Sequence, residues 1–154
     1  MVGSTPGAFE RLRPLFAAMS SHAYWIGDVP GCAQVVKLCN NMLGETNNLV
    51  ALEGLRIAQA YGISETTFLD IVRVSSGNSW IIENWGTSDR LSLNHPYGAN
   101  ANFLILLKDL RSAIQVGSEA GVTSEIASQA AAAGERILEN RLQHIRGASE
   151  PVAE

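Results

Sequence analysis

Apolar positions recur at helical spacing over most of this chain. From Gly31 the pattern runs through Val35, Val36, Leu38, Cys39, Met42, Leu43, Val50, Leu52, Leu55, Ile57 and Ala58 before stopping at Tyr61-Gly62. Steps of three and four keep such residues on adjoining faces of a helix. They spread over several faces, which predicts one long helix buried on most sides. At 1.5 Å per residue, roughly 30 residues span about 45 Å. Pro30 suits the position just before or at the first helical residue, Asp28 can serve the helix N-terminus, and Gly62 suits the C-cap. The polar stretch Gly44-Glu45-Thr46-Asn47-Asn48 marks close helix packing or a kink.

The same reading divides the rest of the chain. Before the long helix, Phe9, Leu12, Leu15, Phe16 and Met19 predict a first helix, and Ala23-Tyr24-Trp25-Ile26-Gly27 reads as a strand. One helix and one strand make no stable sheet, so residues 1–30 are expected to be packed on the rest or to be the remnant of a larger α/β unit. After the long helix, Ser64 is the next N-cap, ahead of Phe68, Leu69, Ile71 and Val72. A turn at Ser75–Asn78 leads to a short helix, Ser79 to Trp85, and then a long loop over 86–100. Ala101 to Ala120 forms a further helix, capped by Gly121, and a last one starts at Thr123 or Ser124. Small residues in its alanine run allow close helix approach. The tail 147–154 has no pattern and is expected to be disordered. The fold class is therefore mainly α: a bundle of about five helices around one long helix over 31–146, preceded by a short helix–strand piece.

Composition narrows the function classes. Of 154 residues, 46% are hydrophobic and 17% charged, and the net charge is -4. With no basic cluster, nucleic acid is not an expected partner. Polar residues interrupt every apolar run, so no membrane partner is expected either. Cys32 and Cys39 fall seven positions apart on one helix, roughly 10 Å, too far for a disulfide between them. Without metal-ligand spacing to a histidine, they read as buried thiols in a reducing cytoplasm, with no metal site. His22, His95 and His144 are scattered. None of the 14 glycines forms G-x-G-x-x-G, so a dinucleotide-binding fingerprint is absent from this sequence.

One residue does not fit a plain scaffold. Lys37 stands among small and aliphatic neighbours, one turn before Asn41, offset from it by about 40° on the same face. Two readings stay open on spacing alone. The lysine snorkels from a buried helix to solvent, or it is a catalytic group held by the asparagine.

Gly31, Lys37, Asn40 and Asn41 form G-x-x-x-x-x-K-x-x-N-N at the head of a long helix. This resembles the β-hydroxyacid dehydrogenase family, which includes 3-hydroxyisobutyrate dehydrogenase and, more distantly, 6-phosphogluconate dehydrogenase. Ser75-Ser76-Gly77-Asn78-Ser79-Trp80 is similar to the family's S-G-x-S-W segment, and Lys108-Asp109-Leu110 to its K-D-L motif. The three motifs, in order, cover nearly all of residues 25–142. The resemblance is to the family's C-terminal half. It implies that residues 1–30 are the last helix and strand of a Rossmann domain, and that the glycine-rich loop and the S-G-G substrate loop belong to an N-terminal half not represented here.

The resemblance also implies a site. Lys37 is the catalytic acid/base, and a largely desolvated setting is expected to lower its pKa. Asn41 and Asn40 bind substrate, Lys108 touches the cofactor, and Asp109 helps fix the cofactor site. NAD or NADP serves the full-length family, with none expected to bind this chain alone. A small hydroxy acid is the substrate. Expected partners are a second copy of the chain, as a homodimer or higher oligomer, and a separate Rossmann-domain chain. Association is also expected because Phe9, Leu12, Phe16, Tyr24 and Trp25 have no sheet to cover. Two positions depart from the family pattern. Ala33 stands where a second glycine is usual, and Ala101 where a phenylalanine is usual, which bears on substrate specificity. The function expected is thus the C-terminal half of an NAD(P)-dependent 3-hydroxy acid dehydrogenase, inactive by itself. The alternative is a helical interaction module without catalysis.

Overall fold

Helix α2, Cys32–Ala60, is the axis on which the other elements are laid. The computed structural model describes residues 1–147. Within them α2 packs on α6, Asn100–Glu119, and α7, Glu125–Gly147. The three share a core of Leu49, Leu52, Phe103, Leu107, Leu138 and Leu142, with Leu110 and Ile137 among its other members. The closest approach is at Gly134 of α7. A Cβ there would overlap Leu107 of α6 and stand 3.5 Å from Leu49 of α2. Packing of this kind, rather than helix propensity, supplies most of a helix's stability in a protein.

The ends of the helices follow local rules. Gly62 has φ +78° and closes α2 with a Schellman pair, its N–H donating to the Gln59 carbonyl and that of Ile63 to the Ala58 carbonyl. Gly121 does the same for α6 through Ser118 and Gly117. Ser64 caps α3, Glu65–Arg73, by accepting from the Thr67 N–H, and Ser79 caps α4, Trp80–Glu83, by accepting from that of Ile82. At the head of α2 the cap is Gly31, with φ +88° and no side-chain bond. The expected role of Asp28 is not seen.

The mainly α architecture is as the sequence predicts, and several particulars are not. Residues 86–100 are not all loop: Thr87–Leu93 form a further helix, α5, entered through Gly86 at φ +79°. Its sequence carries no apolar stripe. It is held from outside, by Asn102 donating to Ser88 and to the fully buried Ser92. The N-terminal piece has two strands, not one. β1, Val2–Gly3, pairs in parallel with β2, Trp25–Gly27, across α1, Pro6–Met19. A two-residue strand is too short to show alternation. Gly3 lies against the start of α2, where a Cβ would meet the Cys32 thiol at 3.1 Å. Phe9 is buried and stacks on Phe16 at 5.6 Å, so these two are covered, while Leu12, Tyr24 and Trp25 stay exposed as expected.

Helix α2 is buried on one face, not on most. Val36, Leu43, Val50 and Ile57 are exposed on the other, where no element of the described chain reaches. Nor is Gly44 a close-packing point, since a Cβ there would meet nothing within 4 Å. Both thiols are free, and Cys39 is exposed. Helix α7 includes Gly147, the first residue of the expected tail, and 148–154 lie outside the described residues. Among the described residues, no helix is long and apolar enough to cross a membrane.

Candidate active site

Lys37 lies in the second turn of α2 and Asn41 one turn further on. Both aim at α6, which presents Asp109 with its side chain 11% exposed. One carboxylate oxygen, Oδ2, accepts from Asn41 Nδ2 at 2.7 Å and from Lys37 Nζ at 3.2 Å. The other, Oδ1, takes the ammonium of Lys108 at 2.7 Å. The Lys108 bond, then those from Asn41 and Lys37, hold this carboxyl below the usual aspartate range, against the opposing pull of burial. Asn40 is exposed beside them and donates to Asn41 Oδ1 at 3.4 Å.

So the structure brings Lys37, Asn41, Lys108 and Asp109 into one cluster, with Asn40 at its edge. It differs from the sequence expectation in one respect. Lys37 is not largely desolvated, for its side chain keeps 42% exposure. It stands at the open rim of the α2–α6 contact, and nothing in the described chain roofs it. The Ser75–Trp80 segment lies elsewhere on the same rim. Asn78 accepts from the Ser79 N–H and donates to Glu83 at 2.6 Å, which fixes the turn ahead of Trp80.

Behind the cluster is a cavity of about 280 Å³, bordered by Asn41, Asp109, Glu45, Asn48, Trp80 and Trp85. Glu45 and Asn48 were not singled out by sequence. Their signal was present, since positions 37, 41, 45 and 48 step by four, four and three and so share one helix face. Read as a polar interruption, they were missed. The residue Glu45 is 4% exposed. Its Oε2 accepts from Asn48 at 3.5 Å, and its Oε1 has no partner. Burial pushes its carboxyl up to about 7, with the Asn48 bond opposing.

The outer wall of the cavity is set by Arg141 of α7, also missed, whose side chain is 9% exposed. It bonds Glu65 of α3 at 2.9 Å and Asp89 of α5 at 2.7 Å, and lies on the Trp85 ring at 5.4 Å. Only the fold brings these together, because they are 76 and 52 residues from Arg141. His22 and His95 take no part: His22 stacks on Tyr24, and His95 lies tilted against Tyr97. Among the described residues no three His, Cys, Asp or Glu gather as metal ligands.

A sequence profile described as "NAD-binding of NADP-dependent 3-hydroxyisobutyrate dehydrogenase" matches residues 31–151. The chain belongs to the 3-hydroxyisobutyrate dehydrogenase family. It is 30% identical over 128 residues to the NAD-dependent L-serine dehydrogenase of Pseudomonas aeruginosa, covering 80% of this chain and 42% of that protein. To the probable 3-hydroxyisobutyrate dehydrogenase of Mycobacterium tuberculosis it is 25% identical over 135 residues, 85% of this chain and 46% of that one. Among solved structures, the 3-hydroxyisobutyrate dehydrogenase from Salmonella typhimurium matches with a TM-score of 0.70 at 28% identity, covering 87% of this chain and 46% of its own. The chain spans about half the length of the curated relatives it matches.

A nicotinamide dinucleotide fits part of what is present. Lys108 is an exposed ammonium at the site, suited to an anionic portion of such a molecule. The turn after β1 does not suit a pyrophosphate. Pro6 opens α1 without an N–H, and the Ala8 N–H is taken by Thr5.

Proposed function

We propose that this chain forms the helical half of an NAD(P)-dependent dehydrogenase for small 3-hydroxy acids, with Lys37 as its acid/base group. The observation that carries the reading is the meeting of Lys37 and Asn41 on one oxygen of Asp109, 72 and 68 residues away in sequence. A lysine that merely reaches for solvent has no need of that constellation. NAD(P), when bound, takes hydride from the carbon bearing the hydroxyl, or returns it. At Lys37 Nζ the amine accepts the hydroxyl proton in oxidation and gives it back in reduction, and its exposed side passes the proton to solvent. Asp109 positions both Lys37 and Asn41. Asn41 and Asn40 hold the substrate's polar groups, and Lys108 meets the dinucleotide. The pyrophosphate cradle comes from a Rossmann unit, of which residues 1–30 are read as the edge. A cytoplasmic setting, where NAD(P) and free thiols coexist, suits the reading.

The reading includes a homodimer. Val36, Leu43, Val50 and Ile57 repeat every seven residues along the exposed side of α2, the period a helix presents to a second helix. The same stripe favours the second reading, a helical interaction module without catalysis. Mixing the chain with a separately expressed Rossmann unit from a relative, and following NAD(P)H absorbance with 3-hydroxy acids, separates the two. Turnover is expected, falling at least about 100-fold in Lys37→Ala. Turnover that survives the substitution overturns the role of Lys37, and no turnover with any 3-hydroxy acid favours the module. Sedimentation reports the dimer in either case.

A further inference from the structure

The polar groups around Lys37 leave one unused. Glu45 stands one turn beyond Asn41 on α2, about 6 Å along the axis, and borders the cavity that Asn41 and Asp109 also border. Its Oε1 is buried with no partner, although the cavity beside it has room for several non-hydrogen atoms. A buried acceptor without a donor is destabilising, because it has given up water for nothing in return. Such a group in a cavity next to a reaction centre is suited to a ligand that brings the missing donor. The other charged groups on the lining are already engaged. Asp109 is bound by Lys37, Asn41 and Lys108, and Arg141 is bound by Glu65 and Asp89. No free cation on the lining is available for a second carboxylate. The apolar lining, Trp80, Trp85 and Leu52, suits a short carbon chain.

We infer that this cavity takes the substituent beside the reacting carbon and that Glu45 is its specificity-determining residue, favouring a 3-hydroxy acid whose substituent is a hydrogen-bond donor, ammonium or hydroxyl, over one whose substituent is a second carboxylate. This rests on the reading of Lys37 as the reaction centre. Glu45 meets that substituent and takes no proton from the reacting carbon. The 3.5 Å bond from Asn48 engages Oε2 and leaves Oε1 without a partner.

The test needs only this chain, because Trp80 and Trp85 border the cavity and report its filling by fluorescence. Three probes are titrated, with calorimetry alongside: L-serine, which carries an ammonium; 3-hydroxypropanoate, which carries no substituent; and malate, which carries a second carboxylate. A hydrogen bond to a charged group predicts that L-serine binds about tenfold more tightly than 3-hydroxypropanoate, with malate weakest. In Glu45→Gln the preference for L-serine over 3-hydroxypropanoate is expected to shrink to within about twofold and malate to gain. Melting and circular dichroism check that the variant is folded. An L-serine preference that survives in Glu45→Gln overturns the inference, and so does the absence of binding by all three probes. Lys37→Ala tests the underlying reading separately. Turnover with the added Rossmann unit that is equal in Lys37→Ala and the parent chain sinks that reading, whatever Glu45→Gln does.

Discussion

Asp109 and Glu45 border one cavity, both nearly buried, and their surroundings drive them in opposite directions. Asp109 has two ammonium groups and an amide on its two oxygens, and its carboxyl is held below the usual range. Glu45 has one long bond from Asn48, and burial lifts its carboxyl to about 7. Depth alone therefore does not decide the charge of a buried acid. Partners do, and desolvation wins where they are missing. The contrast matches the proposed division of labour. The ionised aspartate fixes Lys37 and Asn41, and the unpaired glutamate waits for a donor.

The largest effect on stability is expected from removing a partner. Arg141→Met strands Glu65 and Asp89 beside the same cavity, and a broken buried pair of this kind costs about 3–5 kcal/mol. Urea unfolding at pH 7 measures it, and a loss under about 1 kcal/mol means that solvent already screens the network.

The next effect pits the two carboxyls against each other. Glu45 binds its proton more tightly in the fold than in the unfolded chain. Its contribution to stability is therefore neutral below about pH 4.5 and falls as pH rises toward 7. Glu45→Gln removes the titration, so the variant should match the parent near pH 4 and exceed it by about 2–3 kcal/mol at pH 8. Asp109 runs the other way. Its depressed pKa adds stability above the usual aspartate value of about 3.9, and that stability is lost as pH falls through the lower folded value. Asp109→Asn should accordingly be less stable than the parent at pH 7, with the deficit shrinking in acid. Parallel curves for the two variants across pH 3–8, a range set by about these values, would erase the contrast.

The smallest effect is a control without charge. Gly134→Ala forces Leu107 to move, and overpacking of about 1–3 kcal/mol is partly offset by a helix-propensity gain of about 1 kcal/mol. A net loss of about 1 kcal/mol that does not vary with pH is expected, read from the same denaturation curves. Any pH dependence in it would show that packing at Gly134 feeds into the carboxyls.

Much of the helical architecture was legible in the sequence because its signals are local. The serine cap at Ser64, the left-handed glycines at Gly62 and Gly121, and the apolar spacing of α2 and α6 each depend on a few adjacent residues. The motif residues Lys37, Asn41, Lys108 and Asp109 were found by their pattern, and the fold brings them within bonding distance. What stayed hidden depends on contacts across many residues. Helix α5 has weak local signals and exists through Asn102 and Arg141. β1 is two residues long and gains meaning only beside β2. The one-sided burial of α2 depends on which neighbours the described chain supplies, which periodicity cannot count.

The sequence by itself determined where the long helices lie and which residue types stand at the site, since backbone capping and side-chain period are set within a turn or two. Only the tertiary structure decided that Lys37 stays half exposed, that partners hold the Asp109 carboxyl down while burial lifts that of Glu45, and that both border one cavity. Those properties follow from desolvation and partner distance, which exist only once α2, α6 and α7 have packed.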